Sequence, residues 1–177
     1  LNFSKCYKEP SLFRKESKGS VLLVAVYVDD LLVTGSSLDV IQDFKDEMAT
    51  KFEMSDLGKL TYYLGIEVTQ LKDGIIFHQE RYANKILEEA GMSDCNMVHI
   101  PMDPSLKLSK APQEEEINEK DFRRKIGCLR YLIHTRPDLS HCVGVLSRYM
   151  HSPKESHGVA LKQVLRYPVS YTHLRAH

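Results

Sequence analysis

Tryptophan, net charge and long apolar runs are all missing from this sequence. Its 177 residues include no tryptophan, and 24 basic residues balance 24 acidic ones. A formal net charge of zero excludes a global attraction to nucleic acid, so any such partner must be held by local patches. The longest apolar run, residues 21–28, is far shorter than a membrane span requires. We therefore expect a globular chain with no membrane partner.

Cysteine, histidine and glycine do not occur in the patterns typical of metal or phosphate sites. The four cysteines are widely spaced and form no C-x-x-C pair, which favours reduced thiols over a disulfide framework. The cysteines and histidines also lack the paired spacing of a zinc site. The nine glycines are scattered and form no G-x-x-x-x-G-K loop, which excludes a P-loop nucleotide site.

Two adjacent carboxylates, Asp29 and Asp30, interrupt an apolar stretch of the sequence. Residues 21–28 form an apolar run of strand length, and residues 31–34 form a second, shorter run. This pattern predicts a β-hairpin with Asp29 and Asp30 as its two-residue turn. Since buried charge is costly unless it is paired or binds a metal, the pair is either a surface turn or a metal site. Mg²⁺ prefers such hard oxygen ligands, but spacing alone leaves both alternatives open.

The remaining pattern mixes strands and helices before residue 97 and indicates only helices after residue 117. Strands are predicted at 11–14, 60–70 and 74–77, and helices at 38–52, 79–90, 118–134, 139–150 and 154–167. Between them, residues 97–117 contain three prolines and the acidic run from Glu114 to Glu116, which indicate a solvated linker. The order of the elements predicts an α+β fold.

Seven longer motifs carry a resemblance to a known family. In chain order they are YVDDLLVTGS at 27–36, KFEMSDLG at 51–58, YYLGIEV at 62–68, FHQERY at 77–82, LEEAGM at 87–92, LRYLIHTRPDL at 129–139 and LSRYMHSP at 146–153. Together they resemble the reverse transcriptase of copia-type LTR retrotransposons, which is the RNA-dependent DNA polymerase domain of the Pol polyprotein. The resemblance extends from about residue 3 to about residue 167.

This resemblance implies part of a right-hand polymerase. Residues 1–96 would form a partial palm, with its catalytic β-hairpin, and the start of the thumb. Residues 97–117 would be a linker, and residues 118–167 a helical thumb and connection segment. The last ten residues, 168–177, resemble a translated cloning adaptor and are excluded from the fold prediction.

The family resemblance also assigns roles to individual residues. Asp29 and Asp30 correspond to two of three catalytic carboxylates and would bind Mg²⁺, with Mn²⁺ as the alternative, in two-metal nucleotidyl transfer. Asp29 is the stronger candidate for a direct ligand because it is the first of the pair. Tyr27 would lie beside the primer end. Residues of a second hairpin would hold the primer backbone, and its glycine would allow close approach: Tyr63, Leu64 and Gly65.

The partners of the parent enzyme follow from the same resemblance. They are an RNA template, a DNA primer, deoxynucleoside triphosphates, and the integrase and RNase H regions of the Pol polyprotein. The implied location is the cytoplasm, inside the virus-like particle of the parent element. Within the predicted helix at 118–134, a basic group either contacts nucleic-acid phosphates or is a solvated face balanced by the acidic residues at 114–119. The members of that group are Arg123, Arg124, Lys125 and Arg130.

The sequence lacks a match to two parts of the family pattern that polymerase activity requires. The family's third catalytic carboxylate lies on a strand upstream of the hairpin, and none of the 28 residues before Asp29 matches that strand. The nucleotide-binding fingers are not matched either. We therefore expect this polypeptide, as given, not to polymerise DNA. The alternative to a polymerase fragment is a non-enzymatic remnant that acts at most as a weak nucleic-acid-binding or interaction module.

Two smaller departures concern the ends of the chain. The first residue is Leu1 rather than methionine, which indicates a fragment. His157 and Gly158 stand where the family usually has His-Trp. Because glycine costs a helix about 1 kcal/mol relative to alanine, we expect the last helix to be weakened there.

Overall fold

The computed structural model describes residues 2–17 and 19–167 of the chain. The chain divides into two compact units, residues 1–59 and residues 60–177. The predicted adaptor-like tail at 168–177 lies outside the described residues. Among the described residues, no helix combines the length and the apolar content needed to cross a membrane.

The first unit is an antiparallel sheet covered on one face by a helix. Its four strands are hydrogen-bonded in the order β1-β2-β3-β4, and helix α1 follows them. The bounds are Ser4–Lys5, Leu12–Ser17, Ser20–Tyr27, Asp30–Gly35 and, for α1, Leu38–Lys51. Strand β1 and the second half of β2 were not predicted, because the first 20 residues lack a regular apolar alternation.

Helix α1 begins where the sequence predicts it. The Ser37 side chain caps it by accepting a hydrogen bond from the Val40 N–H at 3.5 Å. Its apolar face buries Phe44 against Leu22 and Val24 of β3, and these three residues form the core of the unit. Leu22 and Val24 are two residues apart, so both side chains point to the same face of the sheet. The helix therefore holds β3 in place through the side chains of Leu22 and Val24.

The second unit combines a small sheet with four helices. The described part of this unit contains an antiparallel sheet in the order β5-β6-β7 and helices α2 to α5, with a short 3-10 turn at Pro137–Leu139 before α4. The strands are Tyr62–Tyr63, Ile66–Leu71 and Gly74–His78, and the helices are Glu80–Glu89, Glu119–Leu132, Ser140–Ser147 and Glu155–Arg166. Its fully buried core residues include Phe122, Ile126, Leu129, Leu146 and Val164.

The prediction of one strand at residues 60–70 is wrong. The chain reverses inside this apolar run, because Tyr63 pairs with Ile66 and leaves Leu64 and Gly65 as a two-residue turn. Both turn residues have positive φ, +49° at Leu64 and +82° at Gly65, as a type I′ hairpin turn requires. Leucine gives no turn signal, so the apolar pattern concealed the reversal.

The helices after residue 117 are confirmed within a few residues of their predicted ends, and the fold mixes α and β structure as expected. Residues 97–117 contain no helix or strand, but their glutamates are not simply solvated. Glu114 accepts a hydrogen bond from the Ser156 N–H at 2.8 Å, which lowers the pKa of its carboxyl group. Glu116 forms an ion pair with Lys154 at 3.0 Å. Both contacts fix the acidic run to the start of α5.

His157 joins the same segment to the core. Its side chain is completely buried and stacks on the Tyr149 ring, with the ring centroids 3.9 Å apart. The Lys154 N–H donates to Nδ1 at 2.9 Å, as in a helix capping box. Since Nδ1 accepts, Nε2 carries the proton and donates to the Ser109 carbonyl at 2.8 Å. His157 is therefore both a helix cap and a core residue.

Two glycines inside helices have room for a side chain. Gly127 in α3 and Gly144 in α4 are exposed, and a Cβ atom added at either would meet nothing within 4 Å. We expect Gly127→Ala and Gly144→Ala each to raise the free energy of unfolding by about 0.5–1 kcal/mol in urea denaturation. Gly158→Ala is the comparison, since its new Cβ would lie 3.0 Å from Cδ1 of Ile117 and lose part of this gain. A drop in stability with Gly127→Ala would contradict the expectation.

Candidate functional site

The carboxylate hairpin reverses one residue earlier than the sequence suggests. Tyr27 pairs directly with Asp30, so the two-residue turn consists of Val28 and Asp29. The predicted turn at Asp29 and Asp30 is therefore wrong by one position. A tight hairpin turn needs positive φ at its first residue, and Val28 supplies it with φ of +52°. Valine is disfavoured in such a turn, which explains why the pattern pointed elsewhere.

This register separates the backbone positions of the two aspartates. Asp29 lies in the turn, whereas Asp30 is the first residue of β4 and shares a sheet face with Tyr27, its cross-strand partner. Both aspartates are exposed, and Tyr27 is half exposed. The structure thus brings three of the predicted site residues together at one tip.

The chemistry of this tip suits a hard divalent cation. Two adjacent, solvent-accessible carboxylates present oxygen ligands, and Mg²⁺ commonly uses one or two protein carboxylates together with substrate phosphates. Across residues 2–17 and 19–167, no group of three or more His, Cys, Asp or Glu side chains is placed to hold a metal ion. The donor set at the tip is therefore the pair Asp29 and Asp30.

The tip combines a strained turn with a packed strand behind it. Val28 is a β-branched residue at positive φ, a conformation that costs about 1–3 kcal/mol and persists only when the surrounding structure imposes it. Its side chain is 80 % exposed, so packing of this side chain does not repay the cost. Behind the tip, β3 is held by the ladder to β4 and by the contact of Leu22 and Val24 with α1.

The second group of predicted residues forms the β5–β6 turn. Tyr63 is the last residue of β5, and Leu64 and Gly65 form the turn itself. The Tyr131 hydroxyl of α3 donates a hydrogen bond to the Leu64 carbonyl. A Cβ atom at Gly65 would lie 2.8 Å from this hydroxyl oxygen. Tyr131, which the sequence did not mark as a site residue, thus lies close to Gly65, and the approach of a primer backbone to this glycine stays a prediction.

Tyr131 belongs to a small aromatic group on the second unit. Its ring packs edge-on against Tyr82 with centroids 5.1 Å apart, and against His134 at 5.4 Å. The Tyr82 hydroxyl donates to the Cys128 carbonyl at 3.4 Å. Burial, followed by hydrogen bonding to Cys128, raises the pKa of Tyr82, so this hydroxyl remains a donor at all physiological pH values.

The predicted basic group on α3 is largely neutralised by neighbouring acids. Arg123 pairs with Glu119, and Lys125 pairs with Asp121 at 2.6 Å. Arg124 pairs with Asp121 at 3.2 Å and with Glu89 at 3.6 Å. The bond to Lys125 is the main cause that lowers the pKa of Asp121. These contacts favour the alternative of a balanced, solvated face, and the phosphate-contacting role stays a prediction.

Arg130 differs from the other three basic residues of this helix. It is exposed and belongs to no ion pair within the described part of the chain.

All four cysteines, Cys6, Cys95, Cys128 and Cys142, are free thiols, and burial raises the pKa of the Cys142 thiol.

Comparison with known proteins points to one family. The family model described as "Reverse transcriptase (RNA-dependent DNA polymerase)" matches residues 1–104. The chain is 36% identical over 167 residues to the "Retrovirus-related Pol polyprotein from transposon RE1" of Arabidopsis thaliana, covering 94% of this chain and 11% of that protein. It is 37% identical over 147 residues to an uncharacterized mitochondrial protein of the same plant, covering 82% of this chain and 60% of that protein.

A third relative extends the likeness to another plant. The chain is 32% identical over 175 residues to the "Retrovirus-related Pol polyprotein from transposon TNT 1-94" of Nicotiana tabacum, covering 93% of this chain and 13% of that protein. The chain thus spans only about a tenth of the length of the Pol polyproteins that it matches. No solved structure is significantly similar to it.

Proposed function

Because the chain belongs to the reverse transcriptase (RNA-dependent DNA polymerase) family, we propose that it is the part of a copia-type polymerase that carries the catalytic hairpin and a primer-holding turn. The observation that supports this most directly is the exposed pair Asp29 and Asp30 at the tip of a hairpin whose strand β3 packs against α1. The relatives that are Pol polyproteins suggest the context. There, the proposed partners are an RNA template, a DNA primer, deoxynucleoside triphosphates and the integrase and RNase H regions, within a cytoplasmic virus-like particle.

In the proposed mechanism, Asp29 and Asp30 bind divalent cations, Mg²⁺ or Mn²⁺, through their carboxylate oxygens. Such ions, when bound, lower the pKa of the primer 3′-hydroxyl and neutralise the charge of the triphosphate during in-line attack. Tyr27 shares the sheet face of Asp30, and its half-exposed ring would pack beside the primer end. The turn at Leu64 and Gly65 would hold the primer backbone.

We further infer that the 177-residue chain alone does not extend a primer. The tip supplies two carboxylates, and none of residues 1–28 matches the family strand that carries the third. Two carboxylates do not place two metal ions and an incoming triphosphate, so a complete site needs residues beyond those in this sequence. The chain would then contribute part of the site, not all of it.

Primer extension tests this proposal. The purified chain and its Asp29→Asn/Asp30→Asn double variant are given an RNA template, a DNA primer, four deoxynucleoside triphosphates and Mg²⁺. We expect no extension from either protein. Extension by the chain that disappears in the double variant would contradict the inferred inactivity and show that the site is complete. Extension by both proteins would reveal a contaminating polymerase, which a heparin-column repurification would remove.

A non-enzymatic remnant is the second candidate, and the paired cations of α3 favour it. With Arg123, Arg124 and Lys125 already in ion pairs, few cations remain on this helix to contact phosphates. Such a remnant would bind duplexes weakly and without regard to their ends, and because few cations would contact phosphates, its affinity would fall only gently as salt rises. A preference for duplexes with a recessed 3′ end would favour the polymerase fragment instead.

A further inference from the structure

We propose that Tyr131 is a positioning residue, which holds the turn at Leu64 and Gly65 in the shape that meets a primer strand. The proposal rests on the proposed function, because it assigns a support to the same primer-holding turn. It also changes the part played by Gly65. The space above Gly65 is reserved for the Tyr131 hydroxyl, and the strand is met by the outward side chains of Tyr62 and Leu64.

The turn needs external support because its backbone is unfavourable for leucine. A type I′ turn places both central residues at positive φ, which asparagine, aspartate and glycine tolerate far better than leucine does. Leu64 nevertheless has φ of +49°. The Tyr131 hydroxyl donates to the carbonyl of this same residue, so it fixes the orientation of the peptide between Leu64 and Gly65. The hydrogen bond thus acts on the residue that carries the strain.

Space at Gly65 is required for this contact. The distance of 2.8 Å from an added Cβ to the Tyr131 hydroxyl oxygen is shorter than real Cβ contacts, and the next ring atom would lie at 3.2 Å. A side chain at Gly65 would therefore displace the ring or the turn. In addition, φ of +82° is a conformation that residues with a side chain adopt rarely. The missing side chain at Gly65 thus leaves the space that the Tyr131 hydroxyl occupies.

Tyr131 is itself held by the core of the second unit. It lies in α3 between the buried residues Leu129 and Leu132. The edge-on contact with Tyr82 at 5.1 Å restricts its ring. The turn is therefore connected through one hydroxyl to a packed helix, in addition to its pairing within the short β5–β6 ladder.

The outer side of the turn remains accessible. Tyr62 is 55% exposed and Leu64 is 45% exposed, although both are large apolar side chains. An aromatic ring and an aliphatic side chain of this kind suit the sugar and base surfaces of a nucleic-acid strand, since stacking does not depend on sequence. Contact with the primer is thus expected through these two side chains and not through Gly65.

Removal of a single hydroxyl tests the proposal. We measure the affinity of the chain for an RNA–DNA duplex with a recessed 3′ primer end and for the same duplex with blunt ends. Tyr131→Phe is expected to reduce the preference for the recessed end by about fivefold, the value of one typical hydrogen bond. Tyr149→Phe is the matched control, because the Tyr149 hydroxyl also donates to a backbone carbonyl, that of Leu108 at 2.9 Å. General destabilisation would affect both duplexes equally and leave the preference unchanged.

A second pair of variants tests the space above the turn. Gly65→Ala is expected to reduce the same preference, whereas Gly74→Ala, in the next hairpin, has nothing within 4 Å of its new Cβ and should not. Amide hydrogen exchange at Gly65 and Ile66 should accelerate in Tyr131→Phe and not in Tyr149→Phe. Unchanged preference and exchange in Tyr131→Phe would overturn the positioning role while the wild-type preference remains. Absence of any preference in the wild-type chain would overturn the proposed function instead, and with it this inference.

Discussion

Asp29→Asn is expected to abolish primer extension while leaving template binding almost unchanged. The test uses a chimera in which this chain replaces the matching segment of the Arabidopsis RE1 polyprotein, to which it is 36% identical over 167 residues. Asparagine keeps the size and the turn position of Asp29 but removes the negative charge that a divalent cation requires. Removing a residue that only hydrogen-bonds to a metal ligand usually lowers metal affinity or activity by about 10–100-fold. Loss of a direct ligand should therefore lower the extension rate by at least about 100-fold.

Asp73→Asn is the matched control for this experiment. Asp73 is also an exposed aspartate in a two-residue hairpin turn, between β6 and β7. Its substitution should change extension by less than about twofold, because surface changes away from special features have small effects. Template binding is followed in parallel by fluorescence anisotropy. Loss of binding in the Asp29 variant, or extension at the rate of the unsubstituted chimera, would contradict the role of Asp29 as a metal ligand.

The largest effect on stability is expected at His157. His157→Phe keeps a ring that can stack on Tyr149 but leaves the Lys154 N–H and the Ser109 carbonyl without their partner. An unsatisfied buried polar group costs about 1–3 kcal/mol, so we expect a loss of about 2–4 kcal/mol in the free energy of unfolding. Urea denaturation followed by circular dichroism measures this loss as a shift of the midpoint.

His141→Phe provides the comparison for this substitution. His141 lies in α4 and is exposed, so the same chemical change there should alter stability by no more than about 0.5 kcal/mol. The loss at His157 should also expose residues 97–117 to limited proteolysis, since Ser109 is held by this side chain. Equal effects at His141 and His157 would mean that the two hydrogen bonds of the buried ring contribute little.

Local signals in the sequence predicted most of the elements. The apolar spacing predicted helix α1, and the break between the predicted strands at 60–70 and 74–77 contains the observed turn at Lys72 and Asp73. Gly91, with φ of +67°, follows the end of α2 in the left-handed conformation that is common just after a helix. These features depend on neighbours within a few residues, which is the range over which a pattern carries information.

The two hairpin turns to which we assign a function were not predicted correctly from residue patterns. Both Val28 and Leu64 adopt positive φ, against the preference of their residue types. Turn assignment by residue preference moved the first turn to Asp29 and Asp30 and placed one strand across the second, which only the family resemblance put in a hairpin. Tertiary structure overrides local preference at these positions, and such conflicts are expected at functional or strained sites.

Long-range contacts were beyond the sequence for a different reason. Tyr131 and Leu64 are 67 residues apart, and no local pattern connects them. The burial of His157 likewise depends on Ser109, which is 48 residues away in a segment without regular structure. The motif containing Tyr131 was recognised, but its role became visible only from the contact. A covarying pair at Gly65 and Tyr131 would have been the signal to seek.

At Val28, a substitution that makes the hairpin more stable would also make the orientation of Asp29 less fixed. Glycine adopts φ of +52° without penalty, so Val28→Gly would remove a cost of about 1–3 kcal/mol. Glycine also gives the unfolded chain more conformational freedom, which lowers the free energy of unfolding by only about 0.4–1 kcal/mol. The same freedom would release the peptide that aims the proposed metal ligand. A screen for thermostable variants would therefore select a change at this residue that a screen for polymerase activity would reject.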